Sequence, residues 1–152
     1  MNLSKNLSLD EMTRSASAKR HGVKNDPSLV HLENMRALAV NVFQPIRDHF
    51  GKPIHISSGY RSEALNKVVG GSSTSQHSKG EAMDIDNDGT SVSNREIFDF
   101  IKNNLDFDQL IWEFGNNEKP DWVHVSYKRE GKNRKEILRA VKSNGKTVYQ
   151  KL

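Results

Sequence analysis

Residues 75–86, SQHSKGEAMDID, constrain this chain more than any other stretch. A polar run carrying His77 meets Gly80, and the residues from Glu81 to Asp86 then alternate polar with apolar. Alternation with period two predicts a half-buried strand. Gly80 and the small residues around it let the preceding loop fold back on that strand. Side chains alternate along a strand, so Asp84 and Asp86 share one face while Met83 and Ile85 face a core. The segment therefore brings an imidazole and at least one carboxylate together at the surface of a sheet.

The chain has no cysteine, so no disulfide staples it and a metal would be held by nitrogen and oxygen ligands. Its 152 residues suit one domain, and 34% hydrophobic with 28% charged residues is the balance of a globular protein rather than a disordered one. No apolar run approaches the ~20 residues that cross a bilayer, so membrane insertion is not expected. The first twenty residues lack the apolar core of a signal peptide. A net charge of +4 suits an anionic partner. The basic residues are spread along the chain without interleaved aromatics, so nucleic acid is not the expected partner.

Elements follow in an order that suggests α+β. Ser8 with Glu11 reads as a capping box for a helix ending at Gly22. Asp26 and Pro27 open a longer helix, with apolar residues from Leu32 to Phe50 at helical spacing and a kink expected at Pro45. Strands are expected at 54–58, 81–86, 109–115 and 122–127, with a capped helix from Ser93 to about Leu105. A hairpin over 136–151 turns at Ser143-Asn144-Gly145. Helices first and strands later predict a single domain with a largely antiparallel sheet. It divides into a helical part at about 8–50, a sheet part at about 53–127 and the C-terminal hairpin.

A catalytic zinc takes three protein ligands and leaves a position for water. His77 supplies one, and either Asp84 or Asp86 a second. His124, in the apolar strand WVHVSY, is the candidate for the third, because an imidazole there needs a partner. Asp121, three residues earlier, is the candidate general base. An offset of three puts Asp121 and His124 on opposite faces of a regular strand, so this role requires the chain to bend after Pro120. The other histidines (His21, His31, His49 and His55) show no such pattern.

The ordered set SGYRS, SQHSKGEAMDI and WVHVSY resembles the zinc D-Ala-D-Ala carboxypeptidase family. That family includes D,D-carboxypeptidases, vancomycin-resistance D,D-dipeptidases and phage endolysins. Its signature, S-x-H-x-x-G-x-A-x-D before a distant strand histidine, is met by Ser75, His77, Gly80, Ala82, Asp84 and His124. The likeness also takes in Phe43-Gln44-Pro45 and GKPIHISSGYRS. It implies a hedgehog/D,D-peptidase-like fold, helices packed on a mainly antiparallel central sheet. It further implies one zinc ion on His77, Asp84 and His124, Asp121 as base, and Arg61 binding and polarising substrate. Ser75 and Gln76 become supporting or substrate-contacting residues, and Asp86 a supporting one. The expected substrates are peptidoglycan peptides containing D-amino acids, acted on by a monomer. Without a leader, the expected route is cytoplasmic accumulation followed by release to the wall, as for a phage or prophage enzyme, or carriage on a virion. The basic segment Lys128–Lys135 is either a solvated hairpin tip or a wall contact. A zinc-binding module of the same fold without catalysis is the competing reading.

Overall fold

The helical periodicity of the first third builds helices, but in more pieces than the sequence suggests. In the computed structural model, which describes residues 1–152, a small hairpin of β1 (Asn2–Ser4) and β2 (Leu7–Ser8) opens the chain. Ser8 caps α1 (Leu9–Thr13) by accepting the Glu11 amide. The helix expected to run to Gly22 is interrupted, because Ser15 caps a second one, α2 (Ala16–His21). A serine oxygen competes for nearby amides, so it starts a helix more readily than it continues one. The same chemistry shifts the next start: Ser28, not Asp26, caps α3 (Leu29–Leu38). Pro45 is absorbed by a π-helical turn, Ala39–Phe43, ahead of α4 (Gln44–Phe50). The wider turn shifts the carbonyl register where proline has no amide to donate.

Then follow β3 (Ile56–Ser58), α5 (Glu63–Val68), a 3-10 turn (Gln76–Lys79), β4 (Ala82–Ile85), α6 (Asn94–Asn104), β5 (Gln109–Glu113), β6 (Trp122–Ser126), β7 (Glu136–Ser143) and β8 (Lys146–Lys151). Strands β3 to β8 form one sheet in the order β3-β4-β6-β5-β7-β8. Every neighbouring pair in it is antiparallel except β5 and β7. Residues 127–135 carry the chain back past Asp108, so β7 starts beside the start of β5. There the Lys135 and Glu136 amides donate to Phe107 and Asp108 carbonyls. The architecture is the expected α+β, with a mixed rather than wholly antiparallel sheet.

The sheet has two different faces. Met83, Ile85, Leu110, Trp112, Val123 and Val125 point into the main core, against Met35 and Leu38 of α3 and Ile97, Phe98 and Ile101 of α6. Each such buried side chain is worth about 1.5–3 kcal/mol. Helix α6 is fixed over this face by a reciprocal capping box between Ser93 and Glu96. The opposite face carries a smaller apolar floor of Ile111, Leu138 and Ala140 with Phe114 against it. The register puts the polar residues on that second face: Asp84 faces His124, His124 faces Ile111, and Glu113 faces Trp122.

Candidate metal centre and active site

His77 lies in the 3-10 turn, where the Ser75 hydroxyl accepts its amide at 3.2 Å. Gly80 ends this turn at φ +75°, and a Cβ there would lie 2.5 Å from the His31 carbonyl oxygen of α3. Only glycine fits that turn and that approach. The His77 ring is buried, with Nδ1 2.7 Å from the Gly59 carbonyl oxygen. A carbonyl only accepts, so Nδ1 carries the proton and Nε2 offers its lone pair. Nε2 lies 3.3 Å from Asp84 Oδ1.

His124 reaches the same oxygen from the neighbouring strand, with Nδ1 3.1 Å from Asp84 Oδ1. The ligand atoms of His77, Asp84 and His124 all lie within 4.8 Å of one another. Burial alone would raise the Asp84 carboxyl, but His77 and His124 beside it hold it well below the ordinary carboxylate range. Two imidazole nitrogens and one carboxylate oxygen, converging with the far nitrogen of His77 held by a backbone carbonyl, are a donor set that fits zinc.

The remaining expected residues divide. Arg61 joins the group: its amide donates to the His77 carbonyl, and Nη2 lies 3.4 Å from Ser75 Oγ. Its Nε is buried without a partner. Burial lowers the guanidinium from its usual value, and Asp84 pulls the other way. Gln76 turns inward, with Oε1 3.3 Å from His124 Nε2. Asp86 does not share the metal-facing side. Strand β4 ends at Ile85, and the Asp86 carboxylate accepts the Asp88 amide and the Asn94 side chain at the start of α6.

Asp121 is not brought into the group. It is exposed, and its amide donates to the Glu113 carbonyl in the ladder. Its carbonyl accepts from Asn94 on the helix-covered side. Its carboxylate is not among the atoms that converge on the His77–Asp84–His124 group, and an offset of three from His124 puts it on the other face of a regular strand.

Glu113 is the residue that sequence reasoning missed. It ends β5 on the same face as His124, two positions beyond the residue that faces it. It is 8% exposed, and no lysine or arginine pairs with it. Burial pushes its carboxyl up to about 7, His124 opposes the rise and Asp84 adds to it. The signal in the sequence was a lone carboxylate in the apolar run QLIWEF. Tyr149 lies in the same cross-strand row, with the small Ala140 between it and Glu113. Burial raises its phenol, and Glu113 and Asp84 raise it further.

A cavity of about 510 Å³ shares Arg61 and Gly59 with this site, but His77, Asp84, Glu113 and His124 do not line it. Arg14, Ser57, Ser58, Gly59 and Arg61 contribute to its lining. Strand β3 borders it and is an edge strand of the sheet. No helix is long and apolar enough to cross a membrane.

Comparison with curated proteins finds no match. Residues 5–126, most of the chain, match the family model for peptidase M15, and the match spans His77, Asp84, Glu113 and His124. With a donor set of this type inside the matched segment, the chain belongs to the peptidase M15 family, whose members are zinc-dependent metallopeptidases.

Proposed function

We propose that this protein hydrolyses an amide bond in peptidoglycan stem or cross-link peptides containing D-amino acids, with Glu113 rather than Asp121 as the general base. One observation carries the reading. A buried acid titrating near neutral pH sits on the same sheet face as the His77–Asp84–His124 group. Such a carboxyl can both take and return a proton at working pH.

Zinc on His77 Nε2, Asp84 and His124 Nδ1 supplies, when bound, a Lewis acid for the scissile carbonyl and its attacking water. Glu113 takes a proton from that water as its oxygen adds to the carbonyl carbon. It delivers the proton to the amide nitrogen as the C–N bond breaks, leaving a carboxylic acid and an amine. Arg61, with its buried Nε free of protein partners, suits a substrate carboxylate or the developing oxyanion. Ser75 steadies Arg61 through its Nη2. The outer edge of β3 along the cavity suits an extended peptide. The place of action is the cell wall, reached by release from a lysing cell or carried there on a virion.

The test is to digest purified peptidoglycan and defined stem peptides with zinc-loaded protein and read the products by mass spectrometry. Loss of a terminal D-Ala makes it a carboxypeptidase, and an internal cut makes it a lytic endopeptidase. Glu113→Ala should lower turnover by roughly 10²–10⁴-fold. Asp121→Ala should stay within a few-fold of wild type. The reverse pattern returns the base to Asp121. Zinc binding without cleavage of any wall peptide favours a non-catalytic module.

A further inference from the structure

Behind His124 runs a chain of side chains that the hydrolytic chemistry does not itself use. His124 Nε2 faces Gln76 Oε1 at 3.3 Å, and Gln76 Nε2 lies 3.0 Å from Asp108 Oδ2. The Asp108 side chain is fully buried. Its Oδ1 accepts the Arg134 amide at 3.1 Å and Nε at 3.0 Å, and its Oδ2 accepts Arg134 Nη2 at 2.8 Å. Lys128 Nζ stands 4.0 Å away.

These contacts permit only one polarity. An ionised Asp108 accepts and cannot donate, so Gln76 must turn its NH₂ toward Asp108. The Gln76 oxygen then faces His124, and Nε2 of His124 must carry the proton. Nδ1, 3.1 Å from Asp84 Oδ1, would then offer its lone pair to zinc when the metal is bound. A glutamine amide can flip by itself, but the anion behind it removes the choice. Asp108 in turn stays charged in the interior only because the Arg134 fork and amide fill its remaining acceptor positions. Arg134 lies outside the residues that match the family model.

We propose that Gln76, Asp108 and Arg134 are positioning residues that lock His124 in the Nε2–H tautomer, presenting Nδ1 to the metal, and that the segment after β6 thereby tunes metal affinity from outside the centre. This rests on the reading that His77, Asp84 and His124 hold zinc. The plain alternative is a structural staple, in which Arg134 and Asp108 pin residues 128–135 to β5 without acting on His124.

The experiment compares full-length wild type, Gln76→Met, Arg134→Met and the double variant, with zinc affinity measured by chelator competition on folded protein. Long-range proton–nitrogen NMR of the zinc-loaded forms reports the His124 tautomer. Gln76→Met should weaken zinc binding by roughly 10–100-fold, the range for removed partners of metal ligands. Arg134→Met should weaken it in the same direction by less. The double variant should fall no further than Gln76→Met, because both act through one path. The wild-type spectrum should show a His124 Nε2–H protected from exchange, and Gln76→Met should lose that protection. Unchanged affinity in both single variants, or a His124 proton on Nδ1, overturns the relay while leaving the metal centre standing. A wild type that binds zinc no more tightly than His77→Ala overturns the centre and the relay with it.

Discussion

At the scale of single residues, the position of a carboxylate decides its chemistry. Asp84 and Glu113 share a sheet face, yet their environments drive them apart, one held ionised by two imidazoles and the other pushed toward neutrality. Glu113 gives a sign to the pH dependence of the zinc-free protein. Its carboxyl is raised from 4.5 to about 7, so between these values the folded state binds a proton that the unfolded state has lost. Stability contributed by that proton is fully present below about pH 4.5 and fades as pH rises through about 7. The contribution is on the order of 3 kcal/mol. Denaturant unfolding of zinc-free wild type and Glu113→Gln at several pH values should show the difference between them changing across this window. A constant difference would remove the raised acid. The residues whose side chains converge at Asp84 were legible in the sequence, because a histidine in WVHVSY and an aspartate in EAMDID each break an apolar strand. Glu113 broke QLIWEF in the same way. What hid it was a competing carboxylate, Asp121, at an attractive spacing, and only the β5–β6 register separates the two.

At the scale of elements, the turn ahead of β4 carries the most consequence. Gly80 sits at φ +75° with the His31 carbonyl of α3 close behind it, and His77 is three residues upstream. Gly80→Ala should cost about 1–3 kcal/mol through backbone strain alone. The further shift of the 3-10 turn should pull His77 away from Asp84 and weaken zinc binding. A lower denaturation midpoint with unchanged zinc affinity would mean that the turn and the ligand are independent. Element types were readable from periodicity, and the Asn144-Gly145 turn with positive φ at both residues joins β7 to β8 as expected. Starts and breaks were less readable where several capping residues competed. Ser15 and Ser28 took roles that spacing had given to one continuous helix and to Asp26. The π turn before Pro45 has no sequence signature separate from an ordinary kink.

At the scale of the whole molecule, the metal group ties elements far apart in the chain. His77 comes from a turn packed on α3, and Asp84 and His124 from adjacent strands. Zinc at one hundred times its dissociation constant should stabilise the fold by about 2.7 kcal/mol. For a domain of this size that corresponds to a rise in Tm of roughly 5–10 °C. Calorimetry with zinc and with chelator should show the rise in wild type and none in His77→Ala. An equal shift in both would place the bound ion elsewhere. The parallel joining of β5 and β7 could not be read from the sequence. Consecutive strands with polar turns between them favour antiparallel neighbours, and only the path of residues 127–135 past Asp108 reverses that preference.

That path also sets an order of assembly. A nascent chain that has emerged from the ribosome only as far as Tyr127 already owns His77, Asp84, Glu113 and His124. It still lacks both the second neighbour of β5 and the arginine that neutralises Asp108. Until residues 134–143 follow, β5 is an open edge and a buried anion waits without its counter-charge. Strands β7 and β8 are made after the residues of the cleft, so the cleft acquires its finished form only once synthesis has moved well past them.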